Sequence, residues 1–158
     1  MRSIILSILS TLLFAGTIGD QYSQAAASEP VSGVWFNDTG RGAIELYPCN
    51  KELCGKIVWL REPLSASGRP LQDRNNPEPS RRGDKICGLE VIAGIEPQND
   101  GTWDGGRIYD PQTGKTYNVA IERLGPKQLR ITGYLGIKLL GKSFVWQRAP
   151  QSLPRCQG

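Results

Sequence analysis

Apolar and polar residues alternate in short runs along most of this chain, and no window beyond residue 27 sustains apolar residues at helical spacing. In "TYNVAIER" (116–123), Tyr117, Val119 and Ile121 share one side while Asn118, Ala120 and Glu122 take the other. In "QLRITGY" (128–134), Leu129 and Ile131 oppose Arg130 and Thr132. A period of two is the mark of a strand with one buried face. Six further runs read the same way: "VSGVWF" (31–36), "GAIELY" (42–47), "CGKIVWL" (54–60), "LEVIAGI" (89–95), "TWDGGRIYD" (102–110) and "KSFVWQR" (142–148). Between them stand "NDTGRG", "PQNDG", "DPQTGK" and "LGPK", built from residues that favour turns.

Eight strands joined mostly by short turns cannot form a parallel sheet, whose crossovers need a dozen or more residues. The pattern therefore predicts an all-β fold, an eight-stranded antiparallel up-and-down barrel, because closure removes exposed sheet edges. A barrel of eight strands is either filled by side chains or hollow enough for one small ligand. The one long connection, residues 61–88, carries four prolines. A connection of that length is uncommon unless it is functional or disordered, and a lid across one barrel mouth is the functional reading.

The N-terminus changes where this barrel is expected to work. Arg2 precedes an apolar stretch, Ile4–Ile18, and Ala25-Ala26-Ala27 offers the small residues of a cleavage site. Residues 1–27 read as a secretory signal, leaving a barrel domain at 28–148 and a tail at 149–158. The apolar stretch is too short for a good membrane span, so no stable membrane anchor is expected after cleavage, and the mature protein is expected in the periplasm or outside the cell. Loss of Arg2 and Asp20 leaves the net charge at +4. No dense basic face accompanies that charge, which argues against nucleic acid as a partner. In an oxidising space four cysteines suggest two disulfides, Cys49 with Cys54 within "CNKELC" and Cys87 with Cys156. A zinc site is a poor alternative, since there is no Cys-x-x-Cys pair and no histidine.

Gly33-Val34-Trp35 opens the first strand, and "VWQR" closes the last at Arg148. This resembles the lipocalin-type arrangement, in which an arginine from the final strand covers the indole of a Gly-x-Trp strand. The succession "LCGKIVWL", "DRNNPEPSRRG", "WDGGRIYDPQTGKTY" and "GYLGIKLLGKSFVWQR" is similar to the exported bacterial family named domain of unknown function 2147, from about Gly33 to Arg148. The resemblance implies a lipocalin-like or calycin-like barrel in the periplasm, with Gly33, Trp35 and Arg148 as structural residues at one end. It implies no established reaction or ligand. The tail with Cys156 lies outside the shared pattern.

Available chemistry is sparse. Without histidine the commonest general base and metal ligand is missing, no nucleophile–base triad can be drawn, and no catalytic residue, metal or cofactor is assigned. "WDGGRIYDPQTGKTYNV" (103–119) holds most of the signal. "DPQTGK" is a turn, and Gly105-Gly106 suggests a bulge or bend. Asp104, Arg107, Tyr109 and Asp110 are not explained by a bent hairpin. Arg107 and Tyr109 share a strand face. If it faces inward, Arg107 needs a buried anion: an internal acid (Asp104, Asp110 or Glu122) or the head of a ligand. In the long connection, Asp73 and Asn76 are turn residues or the contacts that hold a lid to the rim. Trp59 and Trp103 are core or mouth aromatics, with the core as the favoured assignment. The leading expectation is a barrel that binds a small, partly apolar ligand, with Arg107, Tyr109, Asp104, Asp73 and Asn76 as candidate ligand-binding residues. The alternatives are a filled barrel with a structural or interaction role in the envelope, and an enzyme using Asp104, Asp110 and Tyr109.

Overall fold

The computed structural model describes residues 30–156. The proposed signal, residues 1–27, lies outside the described residues. The eight runs become strands β1 (Gly33–Phe36), β2 (Gly42–Cys49), β3 (Glu52–Leu60), β4 (Glu90–Pro97), β5 (Trp103–Asp110), β6 (Lys115–Gly125), β7 (Gln128–Tyr134) and β8 (Lys142–Arg148). Each pairs antiparallel with the next, and β8 returns to β1 through Trp35 opposite Arg148 and Phe36 opposite Gln147, so the barrel is closed. β2 and β3 extend beyond their alternating cores to a two-residue turn, Asn50-Lys51. Asn50 adopts φ 59°, a left-handed conformation that asparagine tolerates better than most side chains. The Cys49–Cys54 disulfide staples this hairpin.

The inward positions of the alternation make the core. Trp35, Leu46, Ile92, Ile95, Val119, Ile121, Leu129 and Ile131 are buried with almost no exposed surface. Trp103 packs on the edge of this cluster. Trp59 does not join it; it lies edge-on to Phe36, ring centroids 5.4 Å apart, which corrects its assignment to the core.

One end of the barrel holds the β2–β3, β4–β5 and β6–β7 turns and the entry to β1. There the Arg148 guanidinium lies 4.1 Å from the Trp35 ring centroid, a contact worth about 0.5–2 kcal/mol. Arg148 also donates to the carbonyls of Pro30, Ser32 and Pro126, and the Trp35 indole donates to Val31 O. Gly33 is required beneath this arginine: its φ is +124°, and a Cβ would stand 2.5 Å from Arg148 Nη1.

The glycine pair in β5 decides which side chains enter the barrel. The β5–β6 register shifts between Trp103 and Gly106. Gly105, at φ +82°, supplies the left-handed residue of this bulge, and Gly106 is buried against β4, where a Cβ would stand 2.4 Å from Ile95 Cγ1. With Gly106 inward, Arg107 is turned to the outside and is exposed. The inward orientation considered for Arg107 is thereby corrected, and with it the expectation that Arg107 needs a buried anion.

Candidate functional site

The opposite end collects the β1–β2, β3–β4, β5–β6 and β7–β8 connections. A cavity of about 740 Å³ opens there. Its walls are the inward residues of the strands: Ile44, Ile57, Val91, Ile108, Ile131, Phe144 and Trp146. Its rim is polar, with Asn37, Arg41, Gln72, Asp110, Tyr117 and Lys142. The barrel is thus filled in one half and hollow in the other. At the junction Gly55 brings Ile44, Leu46 and Ile92 within 3.1 Å of where its Cβ would be, so the packed half starts there.

The long connection forms part of the cavity wall through Leu71, Gln72 and Ile86. Proline and glycine keep it from forming a strand or a regular helix, apart from a short 3-10 helix at Pro79–Arg81. Its polar side chains hold it instead. Asp73 is completely buried, and Asn76 nearly so. The Tyr109 hydroxyl donates to Asp73 Oδ1 at 2.8 Å, and Asn76 Nδ2 donates to Oδ2 at 2.6 Å. Asn76 Oδ1 accepts from the Glu78 amide, and Arg82 Nε donates to the Asn76 carbonyl. Asn75 Nδ2 reaches the Gln112 carbonyl of the β5–β6 turn at 2.8 Å. That approach needs Gly114, since a Cβ there would lie 2.0 Å from Asn75 O. A second disulfide, Cys87–Cys156, ties the end of the connection to the tail. The tail is fixed in turn by a two-pronged Arg155–Glu45 pair at 2.7 Å and by the Cys156 amide on Val58 O.

Electrostatics follow from these contacts. Burial and the Asp73 carboxylate push the Tyr109 phenol up to about 12, so it serves as a donor across the ordinary pH range. Arg155 is the main cause that holds Glu45 below its ordinary value. Burial alone would raise Asp104, but hydrogen bonds from Lys138, Tyr134 and the Gly105 amide outweigh it and lower its pKa.

The five candidate ligand-binding residues therefore separate. Tyr109, Asp73 and Asn76 form one buried network between β5 and the long connection. Tyr109 also lines the cavity. Arg107 stands outside. Asp104 pairs with Lys138 and Tyr134 on β7 and the connection after it. Asp110 caps its own turn through the Gln112 amide and the Thr113 hydroxyl. The acids considered for an internal pair with Arg107 thus have other partners, Glu122 being paired with Arg130. The sequence reading named Tyr117 only for its strand face and passed over Lys142 and Arg41. Lys142 lies at the rim with its ammonium 5.2 Å from the Phe144 ring centroid, and no carboxylate among the described residues pairs with it. The available signal was positional: if Trp35 and Arg148 seal one end, strand ends facing the other end line the mouth.

Among the described residues no group of three or more metal-ligating side chains converges, and no helix is long and apolar enough to cross a membrane. No curated protein matches the chain. A solved structure titled "Protein HP1028 from the human pathogen Helicobacter pylori belongs to the lipocalin family" is similar, with a TM-score of 0.65 and 21% identity over 78% of this chain and 85% of that one. At that identity the likeness shows the lipocalin-like fold. Residues 33–148, from the glycine under Arg148 to Arg148 itself, match the family described as "Uncharacterized protein conserved in bacteria (DUF2147)", and the chain belongs to that family.

Proposed function

We propose that this barrel binds one small, partly apolar ligand with its apolar part in the cavity and a polar or anionic head at the rim beside Lys142. The observation that carries the reading is a cavity of about 740 Å³ with branched and aromatic walls and a polar mouth, a size and composition typical of small-molecule sites. The filled-barrel alternative accounts for only half of the interior. The enzyme alternative loses its paired acids, because Asp104 and Asp110 are held in separate local networks. Export to an oxidising compartment fits the reading: both disulfides are formed, and residues 1–27 carry the pattern of a cleaved signal.

A fluorescent fatty acid and its alcohol analogue test the site. The wild type should bind both with one-to-one stoichiometry. Lys142→Met should weaken the carboxylate by about tenfold, leaving the alcohol unchanged, because only the former uses the cation. Failure of the wild type to bind either probe would discard the cavity as a ligand site.

A further inference from the structure

The connection from β7 to β8, "LGIKLLG" (135–141), is the most apolar exposed segment among the described residues. Leu135 is 70% exposed, Ile137 61%, Leu139 90% and Leu140 79%; the other large exposed apolar residues, Leu64, Leu124 and Val145, are scattered singly. Soluble surfaces rarely gather large apolar side chains in this way without a partner.

This tongue is a built feature. Its first residues follow Tyr134, whose hydroxyl donates to Asp104 at 2.8 Å. Lys138, in its middle, pairs with the same carboxylate, and a short 3-10 helix covers Lys138–Leu140. At its far end Gly141 lies so close to β7 that a Cβ would stand 2.9 Å from the carbonyls of Gly133 and Lys138. The fold spends an ion pair and a glycine on holding four apolar side chains in water.

We infer that the tongue docks the barrel on an anionic lipid bilayer, with the cavity mouth turned toward the membrane. Three observations select this occupant. Charge is the first: the tongue and its flanks, residues 133–147, carry Lys138 and Lys142 and no acid, and Lys142 has no carboxylate partner among the described residues. The second is the pairing of apolar tips with a flanking lysine, Lys142, which suits insertion of the tips below the headgroups with the cation among the phosphates. Position is the third: Gly133, Lys142 and Phe144, at the base of the tongue, also line the cavity, so docking would present its mouth to the bilayer. The inference does not depend on what the cavity holds.

Sedimentation with vesicles tests it, using the disulfide-intact protein. Vesicles of phosphatidylglycerol mixed with phosphatidylcholine should carry the protein down, and pure phosphatidylcholine should do so far less. Raising the salt should release it, since headgroup attraction is screened. The double variant Leu139→Ser/Leu140→Ser should weaken partitioning by at least about tenfold, because two buried leucines would be lost from the lipid. Both positions are exposed, so the variant should keep the wild-type unfolding midpoint and its affinity for a soluble cavity probe. As an independent reporter, Leu139→Trp should show a blue-shifted emission on the anionic vesicles alone. Equal sedimentation of wild type and double variant, equal binding to both vesicle types, or an unshifted tryptophan would each overturn the inference. So would a dimer in light scattering that the double variant abolishes, if the wild type ignores vesicles.

Discussion

Removing one oxygen atom from Tyr109 should loosen the whole long connection. In Tyr109→Phe the ring stays and only the hydroxyl that donates to Asp73 Oδ1 is lost. Asp73 is fully buried, so water cannot replace that donor without opening the loop. Leaving a buried acceptor unsatisfied costs about 1–3 kcal/mol, toward the upper part for a carboxylate. Taking about 2 kcal/mol, and about 3–5 °C per kcal/mol for a domain of this size, the midpoint should fall by about 6–10 °C. Asp73→Asn should also destabilise. Its new amide nitrogen must face either Asn76 Nδ2, itself a donor, or the Tyr109 hydroxyl, which would then have to accept where it now donates. The double variant should cost less than the two single changes added together, because no charge is then stranded, with a coupling of about 1 kcal/mol or more. Thermal unfolding gives the cycle. Hydrogen exchange locates it: the Asp73 and Ile86 amides, bonded to Asp84 O and Leu71 O, should exchange faster in Tyr109→Phe, while the β6 and β7 amides change less. A midpoint within about 1 °C of wild type, or strictly additive costs, would refute the reasoning that this network pins the connection.

Arg148→Ala should lower stability by about 1–3 kcal/mol through loss of its stacking and three carbonyl contacts, and Arg148→Lys should restore only part, since an ammonium cannot lie flat on an indole. An unchanged denaturation midpoint for Arg148→Ala would count against the sealed end. The lowered pKa of Asp104 makes a pH-dependent contribution: stability is present above its unfolded value and is lost as pH falls through the folded one. Acid titration of wild type against Asp104→Asn should therefore show that the variant lacks part of the acid-induced loss, and parallel curves would speak against it.

Much of the architecture was legible because it depends on a local period. Alternation over "TYNVAIER" and "QLRITGY" places Val119, Ile121, Leu129 and Ile131 inside whatever their partners are, and turn chemistry marks where each strand stops. The resemblance around Gly33, Trp35 and Arg148 likewise pointed to one end of the barrel, where the glycine makes room for the arginine. The candidate site was legible only in part. Asp73, Asn76 and Tyr109 were each selected for their chemistry, but Asp73 and Tyr109 are separated by 36 positions and only the closed barrel brings them together.

Arg107 shows why local reading fails at a bulge. A period of two fixes a face only while the count is unbroken, and the register shift before Gly106 moves the arginine to the outside. The tongue shows the converse. "LGIKLLG" has the composition of a buried segment, and nothing in its pattern distinguishes a core run from an exposed one. Sequence determined which residues are apolar, where strands alternate and where they turn. Tertiary structure decided which apolar residues meet a partner, because burial depends on what the remainder of the chain places opposite each face: seven strands in the case of Ile131, and open water in the case of Leu139.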